Sequence, residues 1–75
     1  MIRVLLIDDH AMIREGCRRV LEAAGDVAVI GQAGSAEVGL TLARNLRPDV
    51  VVLDLRLPGM SGLEATERLL AAWQG

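Results

Sequence analysis

Two short apolar runs, each ended by acid, constrain this chain more than any other feature. Arg3-Val4-Leu5-Leu6-Ile7 gives way to Asp8-Asp9, and Val50-Val51-Val52-Leu53 gives way to Asp54. Near-continuous apolar runs of this length are the mark of parallel strands covered on both faces, because a half-exposed strand alternates instead. Between and after them the apolar spacing is helical. Ile13, Cys17, Val20, Leu21 and Ala24 predict a first helix, closed by Gly25-Asp26. Asp8 or Asp9 is placed to cap it. Val27-Ala28-Val29-Ile30 reads as a second strand and Gly31-Gln32-Ala33-Gly34 as a loop. Ser35 is an N-cap for a second helix carrying Val38, Leu42, Ala43 and Leu46. Gly39 inside that helix should cost about 1 kcal/mol relative to Ala. Arg47-Pro48-Asp49 breaks it. Beyond Asp54, Leu57-Pro58-Gly59-Met60 has the residues of a type II turn. Ser61-Gly62-Leu63-Glu64 has capping-box spacing, and Leu63, Thr66, Leu70 and Trp73 share one face of a third helix.

The order is strand–helix three times over. Short connections and unbroken apolar strands predict a doubly wound parallel sheet with strand order 2-1-3. In that order the strands ending in Asp8-Asp9 and in Asp54 are neighbours, and the fold's switch point lies between them. Three carboxylates then meet at one sheet edge. Such a group needs protons or a cation. Apart from Arg56, no basic residue stands at these strand ends in the sequence. A hard divalent ion held by oxygens suits the group, and Mg²⁺ accepts a few carboxylates plus waters and a phosphate. One carboxylate can then attack a phosphoryl group to give an aspartyl phosphate. Plainer readings stand beside this one: helix capping for Asp8 and Asp9, and a strand-end charge for Asp54. His10 is read as a solvated residue of the first helical turn, Cys17 as a small core residue, and Met60 and Trp73 as packing residues. Arg14, Arg18 and Arg19 give the first helix a basic stripe, which is either a solvated face or part of a partner surface.

Composition narrows the class. The 75 residues suffice for one small domain, with marginal stability expected at that size. The core must be aliphatic, since Trp73 is the one aromatic residue. All eight basic residues are Arg, the net charge is −2, and no face is dense enough in Arg to bind nucleic acid by itself. Cys17 has no partner for an intrachain disulfide. The apolar start ends at Asp8, too soon for a signal peptide or a membrane span. A cytoplasmic protein is expected.

The residues Val4-Leu5-Leu6-Ile7-Asp8-Asp9-His10, Arg14-Glu15-Gly16, Arg47 to Asp54, and Pro58, Gly59, Met60 and Gly62 carry a family resemblance. The chain resembles the receiver domain of bacterial two-component response regulators, in particular the NarL/FixJ (LuxR-type) subgroup. The resemblance spans residues 1–75. It implies a flavodoxin-like (CheY-like) α/β fold, here incomplete, because the first three of its five strands have counterparts. It implies Asp54 as phosphoacceptor, and Asp8, Asp9, Asp54 and the backbone carbonyl of Arg56 as ligands of Mg²⁺. It implies a sensor histidine kinase as phosphoryl donor and a DNA-binding domain elsewhere in the protein, and a signalling module rather than an enzyme. The Ser/Thr and Lys that the family places on the fourth and fifth strands have no counterpart, and the chain has no Lys. With those strands missing, the third strand becomes an uncharged edge, and self-association along Val50 to Leu53 is expected. The competing readings are a partial receiver that only binds partners, and a metal-dependent phosphohydrolase. Enzymes of the haloacid dehalogenase type carry a second Asp two residues past the nucleophile, where this chain has Arg56. A nucleotide-cofactor reading is weak, since no Gly-rich loop follows the first strand.

Overall fold

The structure, a computed structural model, describes residues 1–54, 56 and 59–72. Six elements alternate: β1 (Ile2–Ile7), α1 (Ala11–Ala23), β2 (Val27–Ala33), α2 (Ala36–Leu46), β3 (Val50–Leu53) and α3 (Gly62–Ala72). The sheet is parallel in the order β2-β1-β3, as expected. β1 is central because its sequence suits nothing else: Val4, Leu5, Leu6 and Ile7 are all buried. Leu5 and Ile7 belong to a core with Ala33, Ala36 and Ala43, closed by Met60, Ala65 and Leu69. Leu6 faces the other way, into a cleft shared with Ile13 and Cys17 of α1. Helices therefore cover both faces of the sheet.

β2 runs three residues further than the loop reading of Gly31-Gln32-Ala33 allowed. The ladder with β1 continues after a register shift between Val4 and Leu5, pairing Leu5, Leu6 and Ile7 with Gly31, Gln32 and Ala33. Glycine at 31 here marks a close approach rather than a loop. A Cβ there would lie 3.0 Å from Leu46 and 3.3 Å from Leu5.

Gly39 has the same logic in stronger form. A Cβ at this position would fall 2.4 Å from the Cδ1 of Ile7 and 2.8 Å from its Cγ1. The helix loses propensity at this residue and gains the distance at which α2 can lie on β1. Both ends of α2 behave as read. The Ser35 hydroxyl accepts from the Val38 N–H at 3.2 Å, and Arg47 ends the helix in the left-handed region at φ 48°. Arg3 adds a tie that the pattern did not reveal. Its guanidinium donates to the carbonyls of Leu46 and Arg47, both at 2.7 Å, at the negative end of the helix dipole. Its own N–H donates to Asp49 Oδ2.

Three expected faces are corrected. In α1 no residue is fully buried; Cys17 and Leu21 are half-buried, while Ile13, Val20 and Ala24 are exposed. The helix rests on a narrow sheet, so only part of its apolar stripe finds a neighbour. In α2, Ala36, Gly39 and Ala43 face inward and Val38 is exposed, because contact this close admits only small residues. In α3 the buried residues are Ala65 and Leu69, which lie on the side toward α2. Leu63 and Leu70 are 72% and 66% exposed, and Thr66 is exposed too. Trp73 lies outside the described residues, as do Leu57 and Pro58 of the expected turn. Gly59 has φ 82°, the sign that turn requires, and the Ser61 hydroxyl accepts the Glu64 N–H at 3.1 Å.

Gly39→Ala tests the approach of α2 to β1. The gain in helix propensity, about 1 kcal/mol, should be outweighed by overpacking against buried Ile7, leaving the chain about 1–2 kcal/mol less stable in a urea melt. Adding Ile7→Val should recover part of the loss. Gly16→Ala, where nothing lies within 4 Å of the new Cβ, should stabilise instead.

Candidate functional site

The register of β1 with β3 builds the site. Ile7 pairs with Leu53, so Asp8 and Asp54, each one residue further on, leave the sheet side by side. Backbone bonds hold both residues in place. The Asp54 N–H donates to the Ile7 carbonyl at 2.9 Å, and the Asp8 N–H donates to the Ala33 carbonyl at 3.0 Å. Asp9 follows in the turn into α1. Ligand atoms of Asp8, Asp9, His10 and Asp54 all lie within 4.8 Å of one another. The expected convergence of three carboxylates is present, and a histidine is part of it.

The capping reading of Asp8 and Asp9 is corrected. The N-cap of α1 is His10, with no side-chain cap. Asp8 Oδ1 accepts from the His10 N–H at 2.8 Å, one residue too early to cap the helix. Neither residue is spent on the helix end. His10 itself is more than a solvated neighbour. Its Nδ1 lies 3.0 Å from Asp8 Oδ1 and 2.9 Å from Asp9 Oδ1, although the ring is 65% exposed. The hydrogen bond to Asp8 and the charge of Asp9 raise its pKa above the ordinary histidine value, against a smaller effect of burial. The His10 N–H in turn pulls the Asp8 carboxyl down, helped by the imidazole and the Arg14 charge and opposed by desolvation.

Arg14 was read as part of a basic stripe. In the structure it turns back to the strand end, where its guanidinium donates to the Asp8 carbonyl and, at 3.4 Å, to Gln32 Oε1. Arg18 bonds Glu15 and Glu22, and Arg19 reaches Glu15 at 3.4 Å. The Arg18 guanidinium holds the Glu15 carboxyl down at about 2. The stripe is therefore largely paired along its own helix. Only Asp-Asp-His at a strand end, with Arg four residues later, could have signalled the roles of His10 and Arg14.

Arg56 donates its N–H to Asp54 Oδ1 at 2.9 Å, which fixes the rotation of that carboxylate. Its side chain is exposed. A cleft of about 300 Å³ opens over Asp8, His10 and Asp54, with Arg14 and Arg56 at its sides and Leu6, Cys17 and Val52 beneath. Hard carboxylate oxygens gathered at one point, in a cleft open to solvent, fit a divalent cation with remaining positions for water or phosphate. Among the described residues no helix is long and apolar enough to cross a membrane.

Residues 4–75 match the family model of the response regulator receiver domain. The chain belongs to the response regulator receiver family. Response regulator GacA of Pseudomonas viridiflava is 51% identical over 70 residues, covering 93% of this chain and 33% of that protein. Nitrate/nitrite response regulator protein NarL of Escherichia coli is 47% identical over 66 residues, covering 88% of this chain and 31% of the other. A crystal structure of a LuxR-family two-component response regulator from an Aurantimonas species superposes with a TM-score of 0.89 at 42% identity, over 95% of this chain and 51% of that one. The receiver spans about a third of the length of the curated relatives it matches. These likenesses bear out both the resemblance and the parallel fold read from the alternation of strands and helices.

Proposed function

We propose that this receiver accepts a phosphoryl group on Asp54 with Mg²⁺ bound beside it, as one step of two-component signalling. The observation that carries the reading is the meeting of Asp8, Asp9 and Asp54 at the ends of two adjacent parallel strands. Asp8 and Asp9 are available as ligands because neither caps α1. Asp54 and the backbone carbonyl of Arg56 complete the proposed set. The cation, when bound, neutralises charge on the carboxylates and on the transferred oxygens. The chain's own part is placement. The bond from Arg56 N–H holds the Asp54 carboxylate, and β1 holds Asp8 level with it. A carboxylate oxygen of Asp54 attacks phosphorus. The P–N bond of a phosphohistidine on a sensor histidine kinase breaks, and its electron pair leaves on the imidazole. In this reading the receiver is a phosphoacceptor and not a turnover enzyme, works in the cytoplasm, and governs transcription through a DNA-binding domain elsewhere in the protein. It makes no direct contact with nucleic acid.

A second use of the same strand has its own support. β3 is an edge of the sheet among the described residues, and Val50 and Val52 are each 42% exposed on it. An uncharged edge of β-branched residues is a template for another strand. We infer that the 75-residue chain self-associates along β3, and that a partial receiver of this kind acts as an interaction module where phosphorylation is not used.

Two measurements separate the readings. Incubation with Mg²⁺ and acetyl phosphate should give an adduct of one phosphoryl group in mass spectrometry, absent without Mg²⁺ and absent in Asp54→Asn. A folded chain with no adduct would leave only the interaction role. Sedimentation should show concentration-dependent association, reduced about tenfold or more by Val52→Lys, which puts a charge on the edge. A monomer at all concentrations would remove the edge-pairing account.

A further inference from the structure

The three carboxylates are not held alike. Asp8 and Asp54 are each tied into the sheet by a backbone N–H, donated to the Ala33 and Ile7 carbonyls. Asp9 lies one residue past this hold, in the turn between β1 and α1. We propose that Arg14 is the positioning residue for Asp9: it grips that turn at both ends and so keeps the Asp9 carboxylate where Asp8 and Asp54 meet. This rests on the proposed cation site at Asp8, Asp9 and Asp54 and says what holds the one ligand that the sheet does not.

One residue reaches both ends of the turn. The Arg14 backbone N–H donates to the His10 carbonyl at 3.0 Å, which closes the first turn of α1. The Arg14 side chain folds back, and its guanidinium donates to the Asp8 carbonyl. That carbonyl belongs to the peptide group joining Asp8 to Asp9. The group is planar, so holding its oxygen also fixes the Asp9 nitrogen and the direction in which the chain enters Asp9. The bond to His10 fixes the direction in which the chain leaves it. The guanidinium is steadied in turn by β2, where Gln32 Oε1 accepts from its Nε at 3.4 Å. Arg14 is half-buried, and a planar fork on two acceptors has a defined setting that a lysine ammonium does not reproduce. Charge alone predicts the opposite of this role. A guanidinium beside a cation site repels the cation, so its removal would raise Mg²⁺ affinity. A group that orients a ligand contributes in the other sense, commonly by about tenfold or more.

The test is Mg²⁺ affinity of the whole chain by calorimetry, for the parent, Arg14→Met, Arg14→Lys, Asp9→Asn and the Arg14→Met, Asp9→Asn pair, with circular dichroism to follow folding. Arg14→Met should weaken Mg²⁺ about tenfold although it removes a positive charge, and Arg14→Lys, which keeps one donor to the Asp8 carbonyl, should weaken it less. In the Asp9→Asn background Arg14→Met should change the affinity less than about twofold, because the ligand it positions is gone. Unchanged or raised affinity in Arg14→Met would reduce Arg14 to its charge and overturn the assignment. An equal loss with and without the Asp9 carboxylate would reduce it to general support of the fold and overturn the assignment too. If Arg14→Met does not fold, Arg14→Lys carries the same comparison, with a loss of about threefold expected when Asp9 is present and none when it is absent. Mg²⁺ binding that does not respond to Asp54→Asn, or no Mg²⁺ binding by the parent chain, would instead overturn the phosphoacceptor site on which the assignment rests.

Discussion

The pairing of Ile7 with Leu53 is the constraint on which the molecule depends. Parallel strands share a direction, so two strands in register end at the same side of the sheet. Once Ile7 and Leu53 are level, Asp8 and Asp54 have no choice but to emerge together. The charges that meet there repel, and the site is built at a cost in stability that apolar burial in β1 offsets. That burial is unusually complete: four consecutive residues of β1 have 3% exposure or less. Ile7 serves both ends of this arrangement. It positions the acids through its strand and, through its side chain, sets how near α2 can come, with Gly39 as the answering residue.

Much of this was legible in the sequence because it rests on local chemistry. Unbroken apolar runs meant central strands, Ser35 and Ser61 capped the helices expected of them, and acids at two strand ends implied their meeting. What escaped the sequence was set by packing. The stripes on α1 and α3 were real helical stripes, yet Ile13, Val20, Leu63 and Leu70 stay exposed because a three-stranded sheet is too narrow to cover them. Gly39 looked like a cost and Gly31 like part of a loop, and both are clearances. The loop read at Gly31 to Ala33 is strand, since an open ladder on β1 outweighed the weak strand propensity of Gly and Gln.

At the site itself the acids were legible and their balance was not. Apart from Arg56, the sequence placed no basic residue at the strand ends beside the three carboxylates. Yet His10 lies against two of them, and Arg14 reaches back to the carbonyl of Asp8. Neither contact follows from spacing alone, because each depends on how the chain turns from β1 into α1. These groups relieve the repulsion only in part, and they leave the oxygens facing an open cleft. A site so arranged holds its acids together without a cation and keeps room for one.

The central claim is that Asp8 and Asp54 act as one site because β1 and β3 are in register. A double-mutant cycle on Mg²⁺ affinity, with Asp8→Asn, Asp54→Asn and the pair, tests it most directly. If both carboxylates hold one ion, each single change should remove most of the affinity and the pair little more, a coupling of about 1 kcal/mol or greater. Additive losses, or Mg²⁺ affinity that survives either change, would show that the two acids do not share an ion and would contradict the account.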